Sequence, residues 1–331
     1  MLADVKSNGA VLLGMDVVAD SYWPRIIRVV THAHSDHLMG INRSIKESLF
    51  VVATEVTHRF LDVLGYRVPS EKRLSLDYNK SFSVESEVIT LVPSRHIAGS
   101  AQVLVESREY RVGYTGDFKL PGTPPLEGLD ILVIDATYGS PRLQRRWGEW
   151  DALAALINII EDNIASGPVW LYGYNGKLQE IMVELRRRGV SYPFLADEST
   201  LKLARIAAEF YGTDIGEVDL YHGQEVDYSA IIFMHTTRRR YKRRLPGVHV
   251  VLTGWEMRAP AVRVDDNVYN VSFSDHASFK EVIEYVEEAR PKMLIIDSYR
   301  GKDAWFTAKY VERILGIPAI PRPRGAPSGG D

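Results

Sequence analysis

Short apolar runs recur along the chain, and the period of their pattern changes partway. Residues 10–19 (AVLLGMDVVA) and 26–30 predict short strands, separated by the turn-like cluster Asp20-Ser21-Tyr22-Trp23-Pro24. Residues 49–53 (LFVVA) predict another strand, and over 54–64 Val56, Phe60, Leu61 and Leu64 keep helical spacing. Strands follow at 88–92 (VITLV), 101–105 (AQVLV), 110–114 (YRVGY) and 129–134 (LDILVI). From about residue 141 the character changes. An amphipathic helix over 147–165, a strand at 168–172, helices over 177–188 and 199–211, and strands at 230–235 and 248–252 alternate as in a parallel α/β unit. A strand at 268–273, a helix capped by Ser278, a strand at 293–297 and a helix over 303–314 complete the series. The end, 316–331, is rich in Pro and Gly from Pro321 onward, lacks apolar periodicity and is expected to be loose.

The chemistry sits where these runs stop. Directly after 26–30 comes Thr31-His32-Ala33-His34-Ser35-Asp36-His37, three imidazoles and a carboxylate within six positions. On extended backbone His32 and His34 project to one face. Asp36 and His37 point elsewhere, which suits a second ion sharing the site. A lone histidine is more often structural, and His58, on the 54–64 helix without a partner motif, reads as structural or exposed. The group of three with a carboxylate reads as metal ligands. The same placement recurs: His96 follows 88–92, Asp117 follows 110–114, Asp135 follows 129–134, and His276 follows 268–273. Strand ends gathered at one sheet edge build one site.

Composition narrows the chemistry further. The chain has 331 residues, no cysteine, 40 Lys plus Arg and 43 Asp plus Glu. Disulfides, thiolate metal sites and a cysteine nucleophile are excluded, so every metal ligand is His, Asp or Glu. The near-balanced charge gives a weak global field, and any polyanion footprint is local. One such patch stands out: Arg238, Arg239, Arg240, Lys242, Arg243 and Arg244, interrupted only by Tyr241. Most charge runs are solvated faces, but this one matches the phosphates of a nucleic acid. Gly173-Tyr174-Asn175-Gly176-Lys177 is not a phosphate-binding P-loop, because Leu171 and Leu178 occupy positions that require Gly and Ser or Thr. No apolar run reaches a membrane span and no signal peptide is evident, so a cytoplasmic location is the expectation.

The H-x-H-x-D-H motif and the ordered series His96, Asp117, Asp135, His276 resemble the metallo-β-lactamase superfamily, in its β-CASP nuclease branch. The segments S-R-H-I-A-G-S-A-Q-V, T-G-D-F-K-L, D-A-T-Y-G-S-P, T-G-W-E-M and F-S-D-H-A-S-F are similar to those of prokaryotic ligase-associated DNA exonucleases. The G-W and S-D-H pieces also resemble DNA crosslink-repair nucleases. The resemblance implies an α/β fold: an αββα sandwich in two parts, 1–140 and 251–315, with an inserted α/β β-CASP capping domain over 141–250. It implies that His32, His34 and His96 hold one divalent ion and Asp36, His37 and His276 a second, with Asp117 bridging. The ions it implies are zinc in the first instance, with manganese or magnesium as alternatives. Asp36, Asp135 and His276 are the implied catalytic residues, with Asp135 orienting a ligand or a leaving-group partner.

The implied activity is hydrolysis of phosphodiester bonds by a water activated by two metals, in a DNA exonuclease of repair or end processing, with nucleic acid and repair proteins such as a ligase as partners. An RNA-processing nuclease of the same branch and an inactive nucleic-acid-binding subunit are the competing readings, and a small-molecule hydrolase ranks below them. Two departures from the family pattern bear on this. The histidine expected about twenty residues before His276 is replaced by Thr253-Gly254-Trp255, which leaves the leaving-group donor unassigned with only His235 and His249 upstream. The histidine expected after the last strand is replaced by Ser298 and Tyr299, with Arg300 or Lys302 as possible phosphate contacts in its place.

Overall fold

A computed structural model describes residues 2–239 and 245–324. The chain divides into two compact units, one of residues 1–144 and 275–331 and the other of Arg145–Ser274. Elements are numbered along the chain.

The first unit is built on two sheets. One runs in the order β1 (Ala3–Val5), β2 (Val11–Leu13), β3 (Val17–Ala19), β4 (Ile27–Val29), β5 (Phe50–Ala53), β6 (Arg73–Ser75). The other runs β20 (Ala319–Arg322), β19 (Met293–Asp297), β11 (Ile131–Ile134), β10 (Arg111–Tyr114), β9 (Ala101–Glu106), β8 (Glu87–Pro93), β7 (Ser81–Val84). Alternation in the strands decides which residues meet. Val11, Leu13, Val17, Ile27, Val29 and Val52 from the first sheet pack on Ile89, Leu91, Val103, Val112, Val133 and Ile295 from the second. The outer face of the second sheet, Leu104, Leu132, Ile134, Leu294 and Ile296, is covered by α6 (Phe279–Ala289) and α7 (Ala304–Leu315) through Val282, Val286, Ala308 and Val311. Val30, Val51 and Ala53 on the other side meet Ile41 of α1 (Ile41–Glu47) and Leu61 of α2 (Glu55–Val63). The layers are therefore helix, sheet, sheet, helix, the metallo-β-lactamase fold. Burial of these side chains stabilises each layer by about 1.5–3 kcal/mol per large aliphatic group, before chain entropy is subtracted.

The second unit is a seven-stranded sheet, β14 (Val218–Leu220), β13 (Phe194–Ala196), β15 (Ile231–His235), β12 (Val169–Gly173), β16 (Val248–Thr253), β18 (Val268–Ser272), β17 (Ala261–Asp265), parallel except for β17. Val169 and Leu171 face α3 (Glu149–Asn163), α4 (Lys177–Arg187) and α5 (Glu198–Tyr211), while Trp170 and Tyr172 pack on the opposite face with Ile232 and Met234. Among the described residues no helix is long and apolar enough to cross a membrane.

Three expectations are corrected. The unit expected over 141–250 extends to Ser274, because β18 pairs in parallel with β16 and carries β17 on its outer edge. Part of the expected loose tail is ordered: Ala319–Arg322 forms β20 beside β19, with Ala319 buried under α7. The run 10–19 is a hairpin, not one strand, and its turn is held from outside. The buried Glu87 carboxylate accepts from Met15 N at 2.6 Å and Asp16 N at 3.1 Å, and from the Tyr110 hydroxyl. His58 is buried on α2, with Nε2 3.3 Å from the Leu74 carbonyl.

Glu87→Ala strands two backbone donors and a phenol around a cavity, and we expect it to lower the stability of the first unit by about 2–3 kcal/mol. Urea unfolding followed at each transition checks this, and an unchanged midpoint contradicts it.

Candidate metal centre

Strands β8, β10, β11 and β19 run in the same direction, so their carboxyl ends share one edge of the second sheet. His96 follows β8, Asp117 follows β10 and Asp135 follows β11. His32 lies three residues past β4 in the facing sheet, and His34 leads into a short 3-10 turn, Ser35–His37. His276 sits just ahead of α6, whose start is fixed by a reciprocal Ser278–Glu281 capping box. The strand that precedes it, β18, belongs to the other unit's sheet, so His276 is held here by its own neighbours: Ala277 N donates to Phe118 O at 2.5 Å and His96 Nδ1 lies 2.9 Å from Asp275 O. Gly116 adopts φ +56°, and a Cβ there would stand 3.1 Å from Ala101 O, so the turn delivering Asp117 admits glycine readily and other residues poorly.

Asp117, 3% exposed, is the hub. Its Oδ2 is 3.2 Å from His37 Nε2, 3.4 Å from both His32 Nε2 and His96 Nε2, and 3.7 Å from His276 Nδ1. His34 Nδ1 lies 3.2 Å from His32 Nε2 and 3.0 Å from His96 Nε2. Four donors around zinc at about 2.0–2.1 Å stand about 3.3–3.4 Å apart at tetrahedral angles, and the spacings of His32, His34, His96 and Asp117 match that edge length. A second group surrounds the same carboxylate: Asp36 Oδ2 is 3.4 Å from His37 Nε2, and Asp135 Oδ2 is 3.1 Å from His276 Nδ1. Asp117 Oδ1 and His37 Nε2 are buried and make no hydrogen bond among the described residues. An all-imidazole and carboxylate donor set with orphaned inward atoms fits divalent cations and leaves no need for a thiolate.

The electrostatics agree with this assignment. Burial, with neighbouring His37, pushes His32 down to about 4, and burial drives His96 well below and His34 below the ordinary imidazole range. These three rings therefore present lone pairs at neutral pH. Burial is the largest single influence on His37 and His276 and opposes their charge, but the carboxylates together outweigh it, Asp117 with Asp36 and Asp20 at the first and Asp117 with Asp135 at the second. His37 is held well above its usual value and His276 is raised to about 10. In the absence of metal, protons on His37 and His276 supply the positive charge that Asp117 requires.

A second layer fixes the rings, and its centre is Asp20, which the pattern had presented as part of a turn. Asp20 is fully buried at φ +61° and accepts from Thr31 N at 2.9 Å, Thr31 Oγ1 at 2.8 Å and His37 Nδ1 at 2.8 Å. Thr31 Oγ1 is in turn 3.0 Å from His32 Nδ1, so one carboxylate orients two ligand rings. The signal was available, since Asp20 follows the apolar run 17–19 as Asp117 follows its own. Asp135 Oδ1 accepts from Thr137 N at 2.9 Å and Oγ1 at 2.8 Å while Oδ2 meets His276. Arg300 is not open to a phosphate. Its guanidinium is buried, paired to Asp297 at 2.7 Å, and donates to Gly9 O at 3.0 Å and to the Asp36 carbonyl at 3.1 Å. It braces the Asp36 turn. His249 is buried between the Tyr172 hydroxyl and Leu245 O, a structural role in the second unit. Of the basic run, Arg238 and Arg239 are exposed, and Arg240, Lys242, Arg243 and Arg244 lie outside the described residues.

Fold and donor set together define a metallo-β-lactamase-type protein with His and Asp groups that could hold divalent metal. A profile of the β-lactamase superfamily domain matches residues 26–162. The "uncharacterized protein in lig 3′ region" of Acidianus ambivalens is 37% identical over 41% of this chain and 99% of its own length. The chain belongs to the β-lactamase superfamily. A probable DNA ligase of Opitutus terrae is 28% identical over 96% of this chain and 32% of its own length, and 5′ exonuclease Apollo of Mus musculus is 23% identical over 88% and 54%. The chain thus spans about a third and about half of these two relatives. A crystal structure of a protein of unknown function from Enterococcus faecalis matches with a TM-score of 0.57 over 82% of this chain and 74% of that one at 14% identity, a likeness of fold.

Two predictions follow from the geometry. Because His37 and His276 have raised values, they are protonated in the metal-free protein near neutrality and must lose those protons to bind metal, so metal affinity rises as pH increases from 6 towards 9. Calorimetric titration in buffers of different ionisation enthalpy reads the proton release, and a pH-independent affinity contradicts it. Asp20→Asn is expected to weaken metal binding about 10–100-fold in the same titration while the fold persists.

Proposed function

We propose that this chain is a metal-dependent nuclease that hydrolyses phosphodiester bonds, a DNA exonuclease of repair or end processing in the first instance. The observation that carries the reading is the Asp117 hub, one buried carboxylate within 3.7 Å of four imidazoles in an arrangement fit for two cations. The preference for DNA draws on the relatives named as a DNA ligase and a 5′ exonuclease, and a ligase is the proposed class of protein partner.

His32, His34 and His96 hold one cation and Asp36, His37 and His276 the second, with Asp117 shared and zinc the first candidate. Bound divalent cations supply a lowered pKa for water and compensation of charge on a phosphoryl group, which removes the need for a protein nucleophile. The chain's own residues set the frame for that chemistry. Asp20 and Thr31 keep Nε2 of His32 and His37 turned inward. Asp135, itself fixed by Thr137, positions His276 through Nδ1. Arg300, anchored on Asp297 and the Gly9 carbonyl, holds the turn that carries Asp36, whose side chain is 55% exposed and so accessible to substrate. The Asp36 carboxylate therefore stands between the buried cluster and solvent.

The test is a strand- and end-resolved digestion with 5′- and 3′-labelled DNA, matched RNA and closed circular DNA, after loading with zinc, manganese or magnesium. We expect release of mononucleotides from DNA ends, lost on chelation and reduced at least about a hundredfold in Asp36→Ala with His37→Ala. Faster cleavage of the matched RNA reassigns the substrate. Undiminished activity in the double variant removes the assigned site.

A further inference from the structure

The second unit has a ligand geometry of its own. In its parallel sheet the chain leaves β12 for β13 on one side, whereas it leaves β16 for β17 and β18 on the other, and β12 and β16 are direct neighbours. Connections that diverge from adjacent parallel strands leave a crevice beyond their carboxyl ends, the usual ligand position in an open α/β sheet. The register sets Tyr172 beside Val251, so Tyr174 borders this crevice from one strand and Thr253-Gly254-Trp255 from the other.

Both bordering aromatic side chains are exposed, Tyr174 by 55% and Trp255 by 48%. Several cationic groups stand near them. Arg145 is anchored here, donating to Gly254 O at 3.0 Å. The end of β15 lies next to that of β12, with His235 opposite Gly173 and its ring 5.7 Å edge-on from Tyr174, and Arg238 and Arg239 follow within four residues, both exposed. The carboxylates at these strand ends are engaged locally. Glu256 is buried and bound by Arg258 at 2.6 and 2.8 Å, and Asp197 caps α5 through Thr200 N at 2.9 Å. Large exposed rings gain nothing from solvent, and rings beside exposed cations suit a partner with flat π-faces strung on a polyanion.

We propose that this carboxyl edge is a stacking platform for unpaired bases of single-stranded nucleic acid, with Tyr174 and Trp255 taking bases and Arg238 and Arg239 the flanking phosphates. The proposal rests on the nuclease reading for its ligand class and goes beyond it in assigning where an unpaired strand is gripped. A sequence-tolerant grip follows, because every base has a π-face.

The experiment uses the full chain carrying Asp36→Ala and His37→Ala, so that the strand is not cut, with labelled oligo-dT, oligo-U and a duplex of equal length. Trp255→Ala and Tyr174→Ala should each weaken single-strand binding about tenfold with little change in the salt slope, and Trp255→Phe and Tyr174→Phe should recover most of it. Stacking should quench tryptophan fluorescence, and the quench should vanish in Trp255→Phe. Arg238→Ala with Arg239→Ala should instead flatten the salt slope by about 1.4, the value for two lost phosphate contacts on a single strand. Unchanged affinity in both alanine variants overturns the platform and leaves the nuclease reading standing. Failure of the parent to bind any single strand also overturns it, and if the unmutated protein in addition releases no nucleotide, the nuclease reading falls as well.

Discussion

One buried negative charge organises the first unit. Asp117 stands almost wholly out of water, and an uncompensated carboxylate there would cost several kcal/mol. Five imidazoles from three separate stretches of chain gather about it, either directly or one ring removed. Two of them carry the compensating protons in the absence of a cation, and three are kept neutral by burial. The same group that makes the interior electrostatically expensive draws together donors that could hold a cation. Asp20, Asp135, Asp297 and Arg300 form the outer layer, in which each charged group orients a ligand or the turn that bears it.

The sheets make this convergence possible. Strands running in one direction bring residues far apart in sequence to a common edge, and two facing sheets bring two such edges together. Turns at that edge leave little space beside neighbouring chain, which is why Gly116 precedes Asp117. Beneath the site the packed Val and Ile layers allow little movement, so ligand spacing is set by the backbone and by the second layer of hydrogen bonds.

Periodicity and strand-end chemistry made much of this legible in the sequence. The apolar runs located the core strands, and His32, His34, Asp36, His37, His96, Asp117, Asp135 and His276 stood at their ends. What the pattern left out has physical reasons. Asp20 looked like a turn residue because Ser21, Tyr22, Trp23 and Pro24 after it form a turn-like cluster, which outweighed its place at the end of the apolar run 17–19. Arg300 looked like a phosphate contact because its burial arises from Gly9 and Asp36, more than 260 positions away. The limit of the second unit was placed differently because an inserted domain can end on a strand of its own sheet, and the short run Val268–Ser272 does not reveal from sequence that its partner is β16. The edge strand β20 was missed since Pro321 and Pro323 mask a pairing that uses only one side of the chain.

Anomalous diffraction at the zinc edge from crystals of the metal-loaded protein tests the central claim most directly. Two peaks about 3.5–4 Å apart, one among His32, His34 and His96 and the other among Asp36, His37 and His276, with Asp117 between them, are the predicted result. A single peak, or peaks away from Asp117, would contradict it.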